Sequence, residues 1–578
     1  MQTLSALFGI FLLSSFLAIY ITSFFYKTRL LKLGVFGFSV ALLIGLIYSF
    51  VLVGDYGAMD RGIFQKLDFI NPDLRFEKYL YFSISAIFSI LLVLVLFKKL
   101  AVIFKIVLIT LVLLTTANAG KIALSSGEAP TDSTKPYLYE NELFSYSKDG
   151  KNIVVLVLDM FSGSHTPYLL EQFPQFKDAL DGFVLFDNAL STTNSTIHSV
   201  ATLIGGEYYA TYNMNARGDN LKETIDSAFI STSRAFSEGG FSVSLMPVVG
   251  SNARNIMKKA DIYALDANSY QFYGYYVHQQ KLADDINEIR SSAKHFEIAQ
   301  LMSYGLFRFS PEPYFRPRIY KDGVWLLDVD ATTHGVLQAI SFASSFYAPT
   351  HILKADSNKP TFKYFHSMMT HLPYGAYFHD NKCEFFNPKT AWDDYPHKVE
   401  MDYHDSQALK SAYHQHFDTE ACALQYLANY VESLKNLGIY DQTQIFIVSD
   451  HSAFDSIGLP RINDARPDVL FLFKDFNAKG AMKRDSKLMA NYDIASIFCE
   501  NLPNGCPNVA PNILKNYPQN REIIYTIPAY WELHKHHKNE WILNSAYLVK
   551  DSIFESQNWQ EIKLNQQFYE GIKARFRK

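Results

Sequence analysis

Cysteine is scarce in this 578-residue chain: there are four, and none stands in a C-x-x-C pair or beside histidines at zinc-finger spacing. Any metal bound here must therefore be held by oxygen and imidazole rather than by thiolate. A surplus of positive charge is missing as well, since 53 Lys and Arg face 57 Asp and Glu for a formal net charge of −4. That balance builds no basic face to track a nucleic-acid backbone, so the reading includes no nucleic-acid partner. The chain also shows no repeat of solenoid period and no long low-complexity segment, which removes solenoids and tethers. Disorder does not explain these absences, because 48% of the residues are hydrophobic and 15% aromatic, ample for a large core.

Charge is absent altogether from 3–25, 33–54 and 79–97, and only Lys105 interrupts 100–119. Each run is long enough, as a helix, to cross a hydrocarbon layer of roughly 30 Å. Residues 1–119 therefore read as four transmembrane helices. The first lacks the basic start of a signal peptide and is followed by further spans. Small residues at 115–120, "TTANAG", have the form of a cleavage site, but they follow the fourth span. Lys27, Arg29 and Lys32 lie between spans one and two, and Lys98, Lys99 and Lys105 lie around the entry to span four. Basic loops stay cytoplasmic, which places everything after residue 120 outside the cytoplasm. On that oxidising side "CENLPNGC" could close a disulfide between Cys499 and Cys506 across a Pro-Asn-Gly turn; the alternative is two free buried thiols.

Residues 120–150 are polar and broken by Gly and Pro, a linker. Then "NIVVLVLDMFSG" begins a different pattern: a continuous apolar run that ends in an acid, Asp159. "KPTFKYFHSMMTH" and "TQIFIVSDHSAF" repeat it, delivering His366, His371, Asp450 and His451 at or near strand ends. Continuous apolar runs suit strands buried on both faces. Between the last two, Leu424, Leu427, Val431 and Leu434 recur at helical spacing and Gly438 stops the helix. Strands alternating with helices predict an α/β sheet whose site lies at the carboxyl ends of the strands.

Three features carry chemistry. Asp450 and His451 bring a hard carboxylate and an imidazole to one place, a metal-binding combination. Asp159, supplied by another strand, adds a second carboxylate. The run "STTNSTIHSVATLIGG" at 191–206 packs hydroxyls ahead of a helical pattern, which reads both as a helix cap, with Ser195 at the cap, and as a turn presenting a nucleophile.

In this order and spacing the motifs resemble the membrane-anchored sulfatase-like branch of the alkaline phosphatase superfamily: phosphoethanolamine transferases, phosphoglycerol transferases and lipoteichoic acid synthase-type enzymes. There an acid ends the first strand, a threonine opens a helix soon after and a D-H pair ends a later strand, as Asp159, Thr196, Asp450 and His451 do here. "TIHSV" is similar to the stretch around the nucleophile of the phosphoethanolamine transferases and favours Thr196 over Ser195. "HSMMTHLPYGAY" is similar to a stretch in which a histidine, here His371, contacts the phosphate or the leaving group, with His366 at a second histidine position. The resemblance spans roughly residues 150–500. It implies an extracytoplasmic α/β sulfatase-like catalytic domain at 151–527 followed by a C-terminal extension at 528–578. It also implies Asp159, Thr196, Asp450 and His451 as ligands of zinc, with manganese the alternative, and Thr196 as the nucleophile. The expected activity moves a phosphoryl-linked headgroup, phosphoethanolamine or phosphoglycerol, from a phospholipid donor to an envelope glycan or lipid acceptor at a bacterial inner or plasma membrane.

Departures from the family are equally plain. No C-x-P-x-R or S-x-P-x-R stands at 191–202, which disfavours sulfate-ester hydrolysis. After Asp450-His451 the family's Gly-Glu and its later histidine are missing, so either Arg461 or Arg466 replaces that contact with a positive charge on the phosphate, or the acceptor is unusual. Four spans replace the five common in the transferases. "WELHKHHKNEW" at 531–541 reads as an exposed basic segment rather than a metal site. Two further functions stay open: a metal-dependent phosphatase or phosphodiesterase with water as acceptor, and a non-catalytic lipid-binding envelope regulator.

Overall fold

The structure, a computed structural model, describes residues 29–52, 75–96, 142–247, 253–260, 262–264, 270–282, 302–312, 315–321, 331–385, 407–453, 455–460 and 465–575, with the short pieces 59–60, 63–64, 286, 324–325 and 462. The chain divides into two compact units, one of Met1–Ser133 with Asp284–Ala331, the other of Thr134–Ala283 with Thr332–Lys578. Residues 284–331, inside the expected catalytic span, thus cluster with the N-terminal region.

The described helices of the first unit include α1 (Arg29–Phe50) and α2 (Arg75–Leu96). Their segments Lys32–Phe50 and Glu77–Leu96 are long and apolar enough to cross a membrane. Ile84, Ile87, Leu91, Leu94 and Val95 of α2 are exposed, an apolar surface of the kind water does not favour. The other two expected spans, 3–25 and 100–119, lie outside the described residues. Arg316 is buried, donating from Nε to the carbonyls of Ser310 (2.9 Å) and Phe307 (3.0 Å) and from Nη2 to that of Tyr48 (3.2 Å) near the end of α1. A buried cation on a helix carboxyl end satisfies carbonyls that the helix leaves open.

The second unit is built on an eight-stranded sheet. Its strands are β1 (Asn152–Leu158), β2 (Phe183–Phe186), β3 (Ser242–Met246), β4 (Tyr263–Ala264), β5 (Thr361–Ser367), β6 (Thr443–Val448), β7 (Phe471–Lys474) and β8 (Lys483–Asp485). They lie in the order β8-β2-β7-β6-β1-β5-β3-β4. From β6 through β1, β5 and β3 to β4 the pairing is parallel, whereas β7 runs antiparallel to both β6 and β2. Every residue of β1, β5 and β6 is buried, which is why these runs lack the polar alternation of a half-exposed strand.

One face of the sheet carries α3 (Thr196–Gly205), α4 (Leu221–Glu238) and α6 (Asp493–Cys499). Ile153, Val155 and Val157 share a core there with Val200, Ile204, Phe229, Phe236 and Phe498. The long helix α5 (Gln407–Asn436) buries Leu424, Leu427, Val431 and Leu434. Gly438 stands just past it at φ +70°, where a side chain would be strained. A second, antiparallel sheet of β9 (Glu522–Pro528), β10 (Leu543–Lys550) and β11 (Trp559–Glu561) follows, and α7 (Gln566–Arg575) ends the described chain. β9 runs across the expected boundary at 527/528. Cys499 and Cys506 are joined in a disulfide, and Cys383 and Cys422 are free thiols.

Candidate active site

Parallel register brings the chemistry together. Val157 of β1 sits between His366 of β5 and Val448 of β6, so the residues just beyond these strands emerge side by side. Asp159 follows β1, with its backbone N–H bonded to the carbonyl of Ser367 (3.0 Å). His366 donates through Nε2 to Asp159 Oδ2 at 3.2 Å. Asp450 accepts on Oδ1 from the amides of His451 (2.9 Å) and Met160 (3.2 Å). Met160, immediately after Asp159, holds φ +66°, a conformation that costs a non-glycine residue about 1 kcal/mol or more and persists where its surroundings enforce it.

Two buried carboxylates therefore face one another, and their environments differ. Burial alone would raise the pKa of Asp159, but His371, His366 and His451 outweigh it and lower it to about 2. Asp450 is pushed upward, first by burial and then by the charge of Asp159. Its Oδ2 is buried without a hydrogen-bond partner. The ligating atoms of Asp159, His366 and Asp450 lie within 4.8 Å of one another. His451 donates from Nδ1 to the carbonyl of Ser452 (2.9 Å), which leaves the Nε2 lone pair 3.7 Å from Asp450 Oδ2 and 3.8 Å from Asp159 Oδ1. An orphaned carboxylate oxygen beside a second carboxylate and an imidazole whose other nitrogen is fixed by a carbonyl is a donor set that fits a divalent cation.

Thr196 completes the group. Its Oγ1 lies 3.2 Å from Asp159 Oδ2 and 3.2 Å from His451 Nε2. Residues 191–195 are all buried, whereas Thr196 is half-buried. β9 pins the buried run: the amide and hydroxyl of Thr526 both donate to the carbonyl of Thr192, at 2.8 and 3.1 Å. Ser195 occupies the N-cap position of α3, yet its side chain makes no capping bond. It pairs instead with His198 Nδ1 at 2.5 Å. That corrects the expectation that Ser195 caps the helix, and the reason lies in a distant segment. The amide of Ile542 donates to His536 Nδ1 (2.9 Å), so His536 carries its proton on Nε2, between the carbonyl of Tyr530 (3.0 Å) and His198 Nε2 (3.1 Å). His198 must then carry its own proton on Nδ1 and donate it to Ser195. Burial first, then His536 and His451, keep the His198 pKa well below the usual histidine value. His536, expected in an exposed basic stretch, is buried against this pair.

His371 is half-buried and donates from Nδ1 to the carbonyl of Leu372 (2.6 Å). Its charge nonetheless reaches Asp159. Arg461 lies outside the described residues, and the alternative, Arg466, lies over the ring of Trp531 at 5.1 Å. Two residues beside the site escaped the sequence reading. Asn491 donates from Nδ2 to the carbonyl of Asp450 (2.8 Å), steadying the Asp-His pair from "MANYDI". Glu420 lies on α5 and accepts the amide of Ser162 (2.7 Å); its i−4 neighbour His416 was the available signal.

No family model and no curated relative matches the chain. Solved structures similar to it include the lipoteichoic acid synthase LtaP from Listeria monocytogenes, at 13% identity over 74% of this chain and 89% of that one with a TM-score of 0.35. The phosphonate monoester hydrolase of Agrobacterium radiobacter matches at 15% identity over 70% and 88%, TM-score 0.38. A protein in the alkaline phosphatase superfamily from Vibrio parahaemolyticus matches at 11% over 77% and 92%, TM-score 0.36.

Proposed function

We propose that the chain is a membrane-anchored transferase that moves a phosphoryl-linked headgroup, phosphoethanolamine or phosphoglycerol, from a phospholipid to a hydroxyl of an envelope glycan or lipid. One observation carries the reading: Thr196, the accessible member of a buried hydroxyl run, points its oxygen at Asp159 and His451 beside an Asp450 oxygen that has no hydrogen-bond partner. Asp159, Asp450, His451 and Thr196 would hold a divalent ion, zinc or manganese, which when bound supplies Lewis acidity to the hydroxyl and counter-charge to the phosphate.

The side chains then divide the work. Thr196 Oγ1 gives its proton to Asp159 Oδ2 and forms a bond to phosphorus, while the bond from phosphorus to the diacylglycerol oxygen breaks. His371 supplies a proton to that departing oxygen, and the amino end of α3 favours the anionic phosphate. An acceptor hydroxyl next attacks the phosphothreonine and gives its proton to His371, which restores that histidine, while the bond from phosphorus to Thr196 Oγ1 breaks and that oxygen takes back the proton held on Asp159 Oδ2. α1 and α2 keep the chain at the lipid donor, with the second unit outside the cytoplasm at a bacterial inner or plasma membrane.

Thr196→Ala and Ser195→Ala test the assignment. Headgroup transfer from a labelled phospholipid falls at least ~100-fold in Thr196→Ala, the scale of a lost nucleophile, and stays within several-fold in Ser195→Ala. The reverse ranking overturns it. Release of the headgroup to water, with no acceptor labelled, would make the enzyme a phosphodiesterase.

A further inference from the structure

Behind the candidate active site lies a second cluster that the reaction does not use. The loop after β1 supplies Ser162 and His165, the loop after β6 supplies Asp455, and α5 supplies His416 and Glu420, one helical turn apart on the same face. All five side chains are buried. His165 donates from Nε2 to the carbonyl of Asp455 (2.9 Å) and directs Nδ1 at Glu420 Oε2 (2.7 Å). His416 donates from Nδ1 to Asp455 Oδ2 (2.6 Å). Its Nε2 faces Glu420 Oε1 at 3.2 Å but has no hydrogen-bond partner. One metal-capable atom from each of His165, His416 and Asp455 falls within 4.8 Å of the others, and Glu420 faces both rings.

These contacts have the form of a metal site and its supporting shell. In both rings one nitrogen is committed to Asp455, to its carbonyl in one case and its carboxylate in the other, and the second nitrogen is aimed at Glu420. A fixed outer N–H is how proteins select the ligating nitrogen of a histidine. Asp455 is itself held, with Oδ1 accepting from Ser162 Oγ at 3.0 Å. A hydrogen-bonded network alone would have turned the buried His416 Nε2 into bonding alignment with a carboxylate oxygen already 3.2 Å away. Ligands about 2.0–2.2 Å from a common ion stand about 3.3 Å apart in a tetrahedron, which the His416–Glu420 separation meets. The His165–Glu420 contact opens by about half an ångström to reach it.

We infer that His165 Nδ1, His416 Nε2 and the Glu420 carboxylate form a second, structural site for a divalent transition metal of zinc type, oriented by Asp455. Imidazole with carboxylate suits zinc, and complete burial leaves no open position for substrate. The site would tie the loops that follow Asp159 and Asp450-His451 to α5, so that the strand-end carboxylates keep their separation. This inference does not depend on the transfer reaction.

The test is the metal content of the purified full-length protein in detergent, measured by plasma mass spectrometry across four chains: wild type, Asp450→Asn, Glu420→Gln, and the double variant. About two transition-metal equivalents are expected in wild type, about one in either single variant, and none in the double variant. Metal that persists unchanged in Glu420→Gln and vanishes in Asp450→Asn overturns the second site and leaves the first. Metal that vanishes in Glu420→Gln but persists in Asp450→Asn does the opposite. Should Glu420→Gln not fold, cobalt(II) is titrated into metal-stripped Asp450→Asn. About one equivalent with the visible bands of four-coordinate cobalt supports the second site, and no such bands contradict it.

Discussion

Thr196 and Ser195 are neighbours with the same functional group, and what separates them is the environment each receives. Ser195 is buried and accepts a proton that His198 holds, so no base stands ready to take its own. Thr196 is half-buried and lies between a carboxylate and an unprotonated imidazole nitrogen. Because the Ser195 side chain caps nothing, Ser195→Ala loses one hydrogen bond rather than a helix cap, a cost of about 1 kcal/mol, readable as a small fall in the urea midpoint. Lys363, on β5, allows a separate check of the buried interior. It is enclosed, with Nζ on the Glu142 carbonyl (2.8 Å) and Ser244 Oγ (3.0 Å). Burial lowers its pKa to about 7 against the opposing pull of Glu142 and Asp356. The unfolded lysine titrates near ~10.4, so between those values the unfolded chain binds more protons and stability rises with pH. Below pH 7 the cost of burying the charge is present in full. Lys363→Met is expected to remove a slope of up to about 1.4 kcal/mol per pH unit in that window, measured by urea unfolding at pH 7 and pH 9; an unchanged slope would refute the assignment.

At the scale of elements, the most legible parts of the sequence are those whose surroundings are uniform. β1, β5 and β6 are buried along their whole length, so a largely apolar run ending near Asp or His, unbroken over 153–158 and 445–448 and interrupted by Lys363 in β5, is their signature, and the site residues they carry are readable with them. α5 is legible through the spacing of its leucines. What is not legible depends on partners far away in the chain. His536 lies 338 residues from the histidine it bonds, and neither stretch names the other. His416 and Glu420 are polar residues on a helix, which usually means a solvated face, and only the packing of two strand-end loops buries them. The 528–578 segment reads as an extension because it begins after the last motif, yet β10 pairs with β9 along seven register positions. Ile523, Tyr525 and Ile527 share a core with Tyr547 and Val549. Truncation after Pro528 therefore strips β9 of its partner and Ser195-His198 of His536. The expected outcome is an aggregating or protease-sensitive product, whereas a soluble truncated chain with wild-type resistance in limited proteolysis would show the segment to be dispensable.

For the whole molecule, two apolar helices of membrane-crossing length precede a large α/β unit that contains the Cys499–Cys506 disulfide. A disulfide persists outside the reducing cytoplasm, the side on which the proposed topology would place it. Non-reducing peptide mapping of chain isolated from membranes is expected to recover the two cysteines linked, and free thiols at both would contradict that placement. In the proposed reaction the anchor and the chemistry meet: a lipid donor would be cleaved by Thr196 and its headgroup would wait on that oxygen. The most direct measurement is peptide mass mapping of full-length, metal-loaded protein after rapid quenching with a phospholipid donor and no acceptor. The expected result is the mass of the phosphoryl headgroup on Thr196, formed with release of diacylglycerol and discharged when an acceptor is added. An adduct on Ser195, or steady turnover with no adduct at any quench time, would contradict it.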